Sequence, residues 1–526
     1  MIIRESTLKK GLPKETLSIC PECKELIKAR IYEENGKVVI DKTCAKHGYF
    51  KDVYWNDVEF YLKAEKFAYD GFCVSNPKIK ANKDCPYECG LCDLHLSHTV
   101  LANIDLTNRC NLACPICFAN AATAGYVYEP SYEQVVEMLK TLRANKPVPC
   151  PSVQFSGGEP TLHPRFFDII KAAKELGFAQ VQIATNGLKL VDLEFCQRMR
   201  DCGLSTVYLQ FDGLREDIYE QARGKKLLDV KLKAIENCSK VKPRPLSTVL
   251  VPTIVNGIND NEVGEILNFA IKHCAVIRGV NYQPVSFAGR IDQKERENQR
   301  FTLPDLVDRL VEQTDFLKKE DFYPVPVVAP ISELISVLAG VPKVAFTPHP
   351  HCGLATFLYI ENGRAIPITR FVNVEGLFAK MLTLSNKLAK IAPLVRFLGR
   401  LKSEEGKEKS MGKNFRKYFG EFIHEDKIPK TLNLVDFLTN LFSEQSKESL
   451  GRFTWKTLMV GGMHFQDDYN YDIERVKRCV IHYATPDGRI IPFCAYNGGP
   501  TYREEIEKRF SVPLEEWRRS NKPERM

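Results

Sequence analysis

The residues able to do chemistry in this chain are mostly cysteines, and their spacing is regular. The run from Leu106 to Phe118 places Cys110, Cys114 and Cys117 as Cys-x3-Cys-x2-Cys, directly after the apolar stretch Val100 to Leu106. Three thiolates on one short loop can hold three irons of a [4Fe–4S] cluster and leave the fourth iron open to a ligand. Cys85, Cys89 and Cys92 repeat the spacing upstream, so spacing alone makes either triplet the open cluster. Context separates them. The second triplet follows a strand and precedes a string of βα units, whereas the first follows a Pro/Asn/Lys-rich linker, Asn76 to Asp84. The first is therefore read as an auxiliary cluster, its fourth ligand coming from Cys73, His95 or His98, or from none of them. Nearer the N-terminus, Cys20-Pro-Glu-Cys23 and Cys44-Ala-Lys-His47 flank a segment, Lys28 to Asp41, that reads as a hairpin turning at Glu34-Asn35-Gly36. Two knuckles joined by a hairpin describe a ribbon folded around one ion. Spacing does not separate an iron relay from a zinc ribbon.

Composition limits what surrounds these sites. At 526 residues the chain is long enough for two to four domains. A hydrophobic fraction of 44% and a charged fraction of 27% are those of a globular protein. The net charge of +8 is too small for this length to argue for nucleic-acid binding. The N-terminal residues lack the apolar core of a signal peptide, and no apolar run approaches the roughly 20 residues of a membrane span. A cytoplasmic location is expected. Without an export signal, the 18 cysteines read as metal ligands rather than disulfides.

From residue 100 to about 290 strand-like and helical runs alternate. Strands are expected at Leu101–Leu106, Ser152–Phe155, Val181–Ala184, Thr206–Phe211, Thr248–Thr253 and Gly279–Pro284. Helix starts are signalled by the capping box Ser131-Tyr-Glu-Gln134 and by Asn259-Asp-Asn-Glu262. Six βα units predict a parallel sheet curved into a partial (β/α)6 barrel, with chemistry at the C-terminal strand ends. The expected organisation is a metal-knuckle module at 1–72, an auxiliary cluster segment at 73–99, the barrel at 100–295, and a mostly helical C-terminal region at 296–526. That last region carries Cys352, Cys479 and Cys494.

The strand ends are polar or glycine-rich in succession. Phe155-Ser-Gly157-Gly158-Glu159-Pro combines two glycines, which permit close backbone approach, with an acceptor for a cationic group. Thr185 and Asn186 end the third strand, Gln210 and Asp212 the fourth; Thr253 and Asn256 follow the fifth, Gln283 and Ser286 the sixth. Gln210 or Asp212 could accept hydrogen bonds from ribose hydroxyls. Ile116 offers an apolar surface to an adenine, and Phe118 lies beside it. The constellation resembles the radical SAM superfamily over residues 100 to about 290. The resemblance implies an open-iron cluster on Cys110, Cys114 and Cys117 and bound S-adenosylmethionine (SAM). It also implies reductive cleavage of SAM to a 5′-deoxyadenosyl radical that removes hydrogen from unactivated carbon.

The whole chain looks like a narrower archaeal family, through the Cys20-Pro-Glu-Cys23 knuckle, the doubled triplets, Asp105-Leu-Thr-Asn-Arg-Cys-Asn-Leu, Phe155-Ser-Gly-Gly-Glu-Pro and the set Cys352, Cys479 and Cys494. Members are described as tetraether lipid synthases and as pterin methylases of methanopterin biosynthesis. This resemblance implies three [4Fe–4S] clusters and one mononuclear iron on Cys20, Cys23, Cys44 and His47, zinc being the alternative. Cys85, Cys89 and Cys92 would hold one auxiliary cluster and Cys352, Cys479 and Cys494 a second. Cys150, Cys196, Cys202, Cys238 and Cys274 read as apolar core residues.

Residues 377–401 bear on the choice of substrate. Leu377, Met381, Leu384, Leu388, Ile391, Val395 and Leu398 recur at helical spacing among basic residues, with no acid between Leu377 and Lys402. That pattern suits a basic amphipathic helix at an anionic lipid surface, or a core-facing helix with solvated lysines. It favours coupling of terminal methyl carbons of phytanyl chains in an archaeal diether lipid, at the cytoplasmic membrane face, with a small ferredoxin or flavodoxin as electron donor. The alternative is C-methylation of a hydroxymethyl-dihydropterin, which would need a pocket with carboxylate or amide groups for the ring edge. A third reading is an iron–sulfur electron carrier without catalysis, which would need no SAM cleft.

Overall fold

In the computed structural model the described residues are 3–83, 85–121, 123–289, 291–390, 417–432, 457–500 and 502–520. The N-terminal segment forms a four-stranded antiparallel meander of β1 (Lys14–Ile19), β2 (Leu26–Glu34), β3 (Lys37–Cys44) and β4 (Gly48–Trp55). Asn35 and Gly36, both at positive φ, make the two-residue turn between β2 and β3. This is the hairpin expected from Glu34-Asn-Gly. It holds the two cysteine knuckles at one end of the meander.

All six expected barrel strands form: β5 (Leu101–Thr107), β6 (Ser152–Gly157), β7 (Gln180–Thr185), β8 (Thr206–Gln210), β9 (Ser247–Val251) and β10 (Ile277–Pro284). They pair in parallel in that order. The helices between them include α1 (Tyr132–Arg143), α2 (Phe166–Glu175), α3 (Leu193–Asp201), α4 (Glu216–Arg223), α5 (Leu228–Lys240) and α6 (Val263–Lys272). The Ser131 capping box opens α1 as expected. Asn259 does not cap α6. Its side chain accepts from the Val255 amide and donates to the Asp212 and Thr253 carbonyls, so it ties strand-end loops together instead.

The region beyond residue 296 is helical in α7 (Ala329–Ala339) and α8 (Val374–Lys390), but it also completes the sheet. The strands β11 (Gly353–Glu361), β12 (Thr457–Met463), β13 (Ile481–Ala484) and β14 (Ile490–Pro492) belong to it. β12 lies parallel to β10, and β13 lies parallel to β5 at the other end of the six. Within the sheet these strands run β11-β12-β10-β9-β8-β7-β6-β5-β13-β14, with the short strand Tyr323–Pro324 outside β11. Side chains from the two strands that flank the six, Met463 of β12 and Tyr483 of β13, line the same cavity as Asn103, Gln154, Tyr208 and Asn281. The sheet thus wraps around one interior.

The stripe on α8 is a core stripe. Leu377 and Met381 are buried with Leu334 and Phe371, and Leu384, Leu388 and Phe378 pack against the same cluster. Covering an apolar face with the protein's own side chains removes it from any lipid surface. Ile391, Val395 and Leu398 lie outside the described residues. Among those described, no helix is long and apolar enough to cross a membrane.

Candidate active site

The cysteine loop after β5 is held from both sides by glycine contacts. A Cβ on Gly157 would sit 2.2 Å from the Thr107 carbonyl oxygen, and one on Gly158 2.2 Å from that of Arg109. The Gly158 and Glu159 amides donate to the Thr107 and Arg109 carbonyls at 2.7 and 2.9 Å. Both glycines therefore let the end of β6 press against the start of the cysteine loop. At the other end, a Cβ on Gly289 would meet the Cys117 carbonyl oxygen at 2.5 Å and that of Phe118 at 2.4 Å. Between these clamps, Arg223 at the end of α4 donates to the Ile116 carbonyl at 2.8 Å.

Cys110, Cys114 and Cys117 all open onto one cavity of about 500 Å³, a size suited to a cofactor plus a small substrate. Burial pushes the Cys110 thiol up to about 12 and raises that of Cys114. Three half-buried thiols on one loop, facing a shared cavity, fit the three-thiolate donor set of an open-iron cluster.

Of the other expected contacts, Ile116, Phe118, Gly157, Gly158, Thr185, Asn186, Gln210 and Thr253 line this cavity. Glu159, Asp212 and Asn256 do not. The buried Glu159 carboxylate accepts from the Thr161 and Asn186 amides and from the Thr161 and Thr185 hydroxyls. It locks the end of β6 to that of β7 rather than presenting an open acceptor, and burial raises its pKa. Asp212 pairs with Arg223 through two bonds of 2.7 and 2.8 Å and accepts from the Thr253 amide. Asn256 turns away, donating to the Asn298 carbonyl. The pair partner Arg223 had no sequence signal beyond its place at a helix end. Nor had Lys231, which is fully buried and donates to the Asn186 carbonyl and to Gln210.

The other cysteine sets are placed as follows. Cys352, Cys479 and Cys494 line the opposite side of the same cavity. Arg475 donates to the Cys352 sulfur at 3.4 Å, as the Gln466 amide does to that of Cys494. Cys85, Cys89 and Cys92 line a separate small cleft beside His95 and Val476. Of the offered fourth ligands, Cys73 donates to the Cys92 carbonyl, His95 contacts the Cys479 carbonyl and His482, and His98 accepts from the Ala345 amide. Cys150, Cys196 and Cys238 are buried, and Cys202 and Cys274 pack on the core. In the ribbon, the ligand atoms of Cys20, Cys23, Cys44 and His47 lie within 4.8 Å of one another. The Cys23 and Cys44 sulfurs are 3.8 Å apart, and His47 Nδ1 is 3.5 Å from Cys44 and 3.6 Å from Cys20. Those are the edge lengths of a tetrahedron with metal–sulfur bonds of about 2.3 Å.

Residues 104–270 match the Radical SAM superfamily, and residues 12–56 match the HMPTM N-terminal zinc ribbon domain. The ribbon match favours the zinc alternative over a rubredoxin-like iron. The chain is 48% identical over 516 residues to 7,8-dihydro-6-hydroxymethylpterin dimethyltransferase of Methanocaldococcus jannaschii, covering 97% of this chain and 98% of that one. It is 29% identical over 209 residues to GTP 3′,8-cyclase of Clostridium acetobutylicum, covering 39% of this chain and 63% of that one. SuiB of Streptococcus suis bound to S-adenosylmethionine superposes with a TM-score of 0.34 at 19% identity, over 41% of this chain and 47% of that one. The end-to-end relative is named for a pterin and not a lipid. This overturns the expectation of a tetraether lipid synthase with a diether lipid partner, which had rested on the family resemblance and on a helix stripe whose described part, Leu377 to Leu388, packs on the protein's own core. With its barrel, its zinc ribbon and its end-to-end match, this chain belongs to the radical SAM superfamily, in the family of the 7,8-dihydro-6-hydroxymethylpterin dimethyltransferase.

Proposed function

We propose that this protein is a radical SAM methyltransferase acting on carbon of 7,8-dihydro-6-hydroxymethylpterin. The observation that carries the reading is the 48% identity sustained over 97% of the chain. The cavity is compatible with it. Asn103, Gln154, Asn281 and Gln283 line its wall and supply amide groups of the kind a pterin ring edge pairs with, while the Asp105 carboxylate beside them is held by Arg503 and Ser156.

Cys110, Cys114 and Cys117 would hold the SAM-binding [4Fe–4S] cluster, with Thr185, Asn186, Gln210 and Thr253 around the SAM. Cys85, Cys89 and Cys92, and Cys352, Cys479 and Cys494, are the candidate auxiliary sets. When bound, the cluster and SAM supply one-electron chemistry able to remove hydrogen from an unactivated C–H bond. The protein's own part is positional. The Arg223–Asp212 pair, buried on both sides, holds the cysteine loop and the Thr253 amide in one arrangement.

The test is an anaerobic reaction of reconstituted protein with SAM, a strong reductant, the dihydropterin and a folate-type one-carbon donor, followed by mass spectrometry. A pterin heavier by one or two methyl groups, with release of 5′-deoxyadenosine, supports the reading. Deoxyadenosine release with an unchanged pterin rejects the substrate.

A further inference from the structure

We propose that His464 and Gln466, on the loop that leaves β12, recognise the polar edge of the substrate's planar ring, an inference that rests on the pterin reading above. Both side chains line the cavity shared by Cys110, Cys114 and Cys117 and by Cys352, Cys479 and Cys494. They are 1% and 2% exposed. Among the described residues, neither ring nitrogen of His464 has a hydrogen-bond partner, and the only polar neighbour of Gln466 Nε2 is the Cys494 sulfur. Buried polar atoms are rarely left this way, and a cavity-lining group that is so left awaits a ligand.

The surroundings define that ligand. Gln466 Oε1 accepts from the Asp472 amide at 2.7 Å, so the amide's orientation is set and its NH2 is the end left over. The two unpartnered ring nitrogens of His464 offer one donor and one acceptor as a neutral imidazole. Between these two residues in the chain, Phe465 stacks on Phe493 at 3.9 Å, and Phe118 stacks on the same Phe493 at 5.3 Å. A stacked aromatic cluster and, on the same cavity, two donors and one acceptor suit a planar heterocycle carrying a carbonyl, a ring nitrogen and an N–H along one edge. An alkyl chain would leave all three polar atoms unmatched.

The test measures dihydropterin binding to anaerobic reconstituted protein by fluorescence titration, with steady-state kinetics. The variants are His464→Phe, His464→Asn and Gln466→Glu; the last keeps the acceptor for Asp472 and removes the donor. Loss of each ring-edge bond should weaken binding about tenfold. KM should rise more than kcat falls, and His464→Asn should recover part of the loss seen with His464→Phe. Unchanged affinity in both His464→Phe and Gln466→Glu, while the wild type binds and methylates the pterin, overturns this inference alone. Loss of iron per chain or an altered cluster EPR spectrum in His464→Phe would make His464 a metal ligand and likewise overturn it. Failure of the wild type to bind the pterin removes the substrate assignment and this inference together.

Discussion

Single residues set the active site by what they exclude. Gly157 and Gly158 were read as places where a ligand could approach the backbone; in the fold that space is already occupied by the Thr107 and Arg109 carbonyls. Gly158→Ala must push β6 away from the cysteine loop, because the Cβ meets backbone and not a flexible side chain. A cost of about 1–3 kcal/mol is expected, seen as a lower urea midpoint together with less iron bound per chain. Buried histidines set the acid limit. Burial depresses His98 to about 4, while an unfolded histidine titrates near 6.5. Between those values the unfolded chain binds more protons, so stability falls as pH drops from about 6.5 to about 4, by roughly 3 kcal/mol from this residue alone. Urea midpoints measured across this window should show a shallower pH slope in His98→Gln. An equal slope would rule out His98 as a contributor.

At the scale of elements, the ribbon is a metal-organised unit that also docks on the rest of the protein. Lys42 donates to the Asp468 carbonyl at 2.6 Å, and Tyr54 and Thr16 both donate to Asp472. The four ligand atoms lie at one end of the meander, so the metal ties the knuckle before β2 to that after β3. Cys44→Ser should lose about one metal per chain. Amide exchange in residues 14–55 should speed up at least about tenfold while β6 to β9 keep their protection. Uniform loosening of the whole chain would instead mean that ribbon and barrel unfold as one unit. Helix α8 teaches the converse. Its basic stripe has the composition of a lipid-surface helix, yet Leu377 and Met381 are 4% and 1% exposed. Amphipathicity specifies that one face is covered and not by what.

The whole molecule depends on chain segments that return from far away. β12 and β13 flank the six barrel strands; the loops beside them bring His464, Gln466 and Cys479 to the cavity wall, and the residue before β11 and the helical turn after β14 bring Cys352 and Cys494. Truncation after residue 456 would expose the long edges of β5 and β10 and open the cavity to water. Unpaired parallel edges associate. The truncated protein should therefore elute as oligomers or aggregate and bind a hydrophobic dye, where the full chain does not. A soluble monomer with intact SAM binding would show that the six strands suffice.

Local pattern alone determined a good deal. The Cys-x3-Cys-x2-Cys loop, the Asn-Gly hairpin, the Ser131 capping box and all six barrel strands follow from spacing and periodicity, because each depends on residues within a few positions of one another. Tertiary structure decided the rest. It made Glu159 and Asp212 internal braces, turned Asn256 away, and supplied Arg223 and Lys231 as their partners or neighbours. It also covered α8 and left His464 unpaired. Such assignments depend on which distant backbone lies opposite a side chain, and a polar residue at a strand end has the same local signature whether it faces a ligand or another loop.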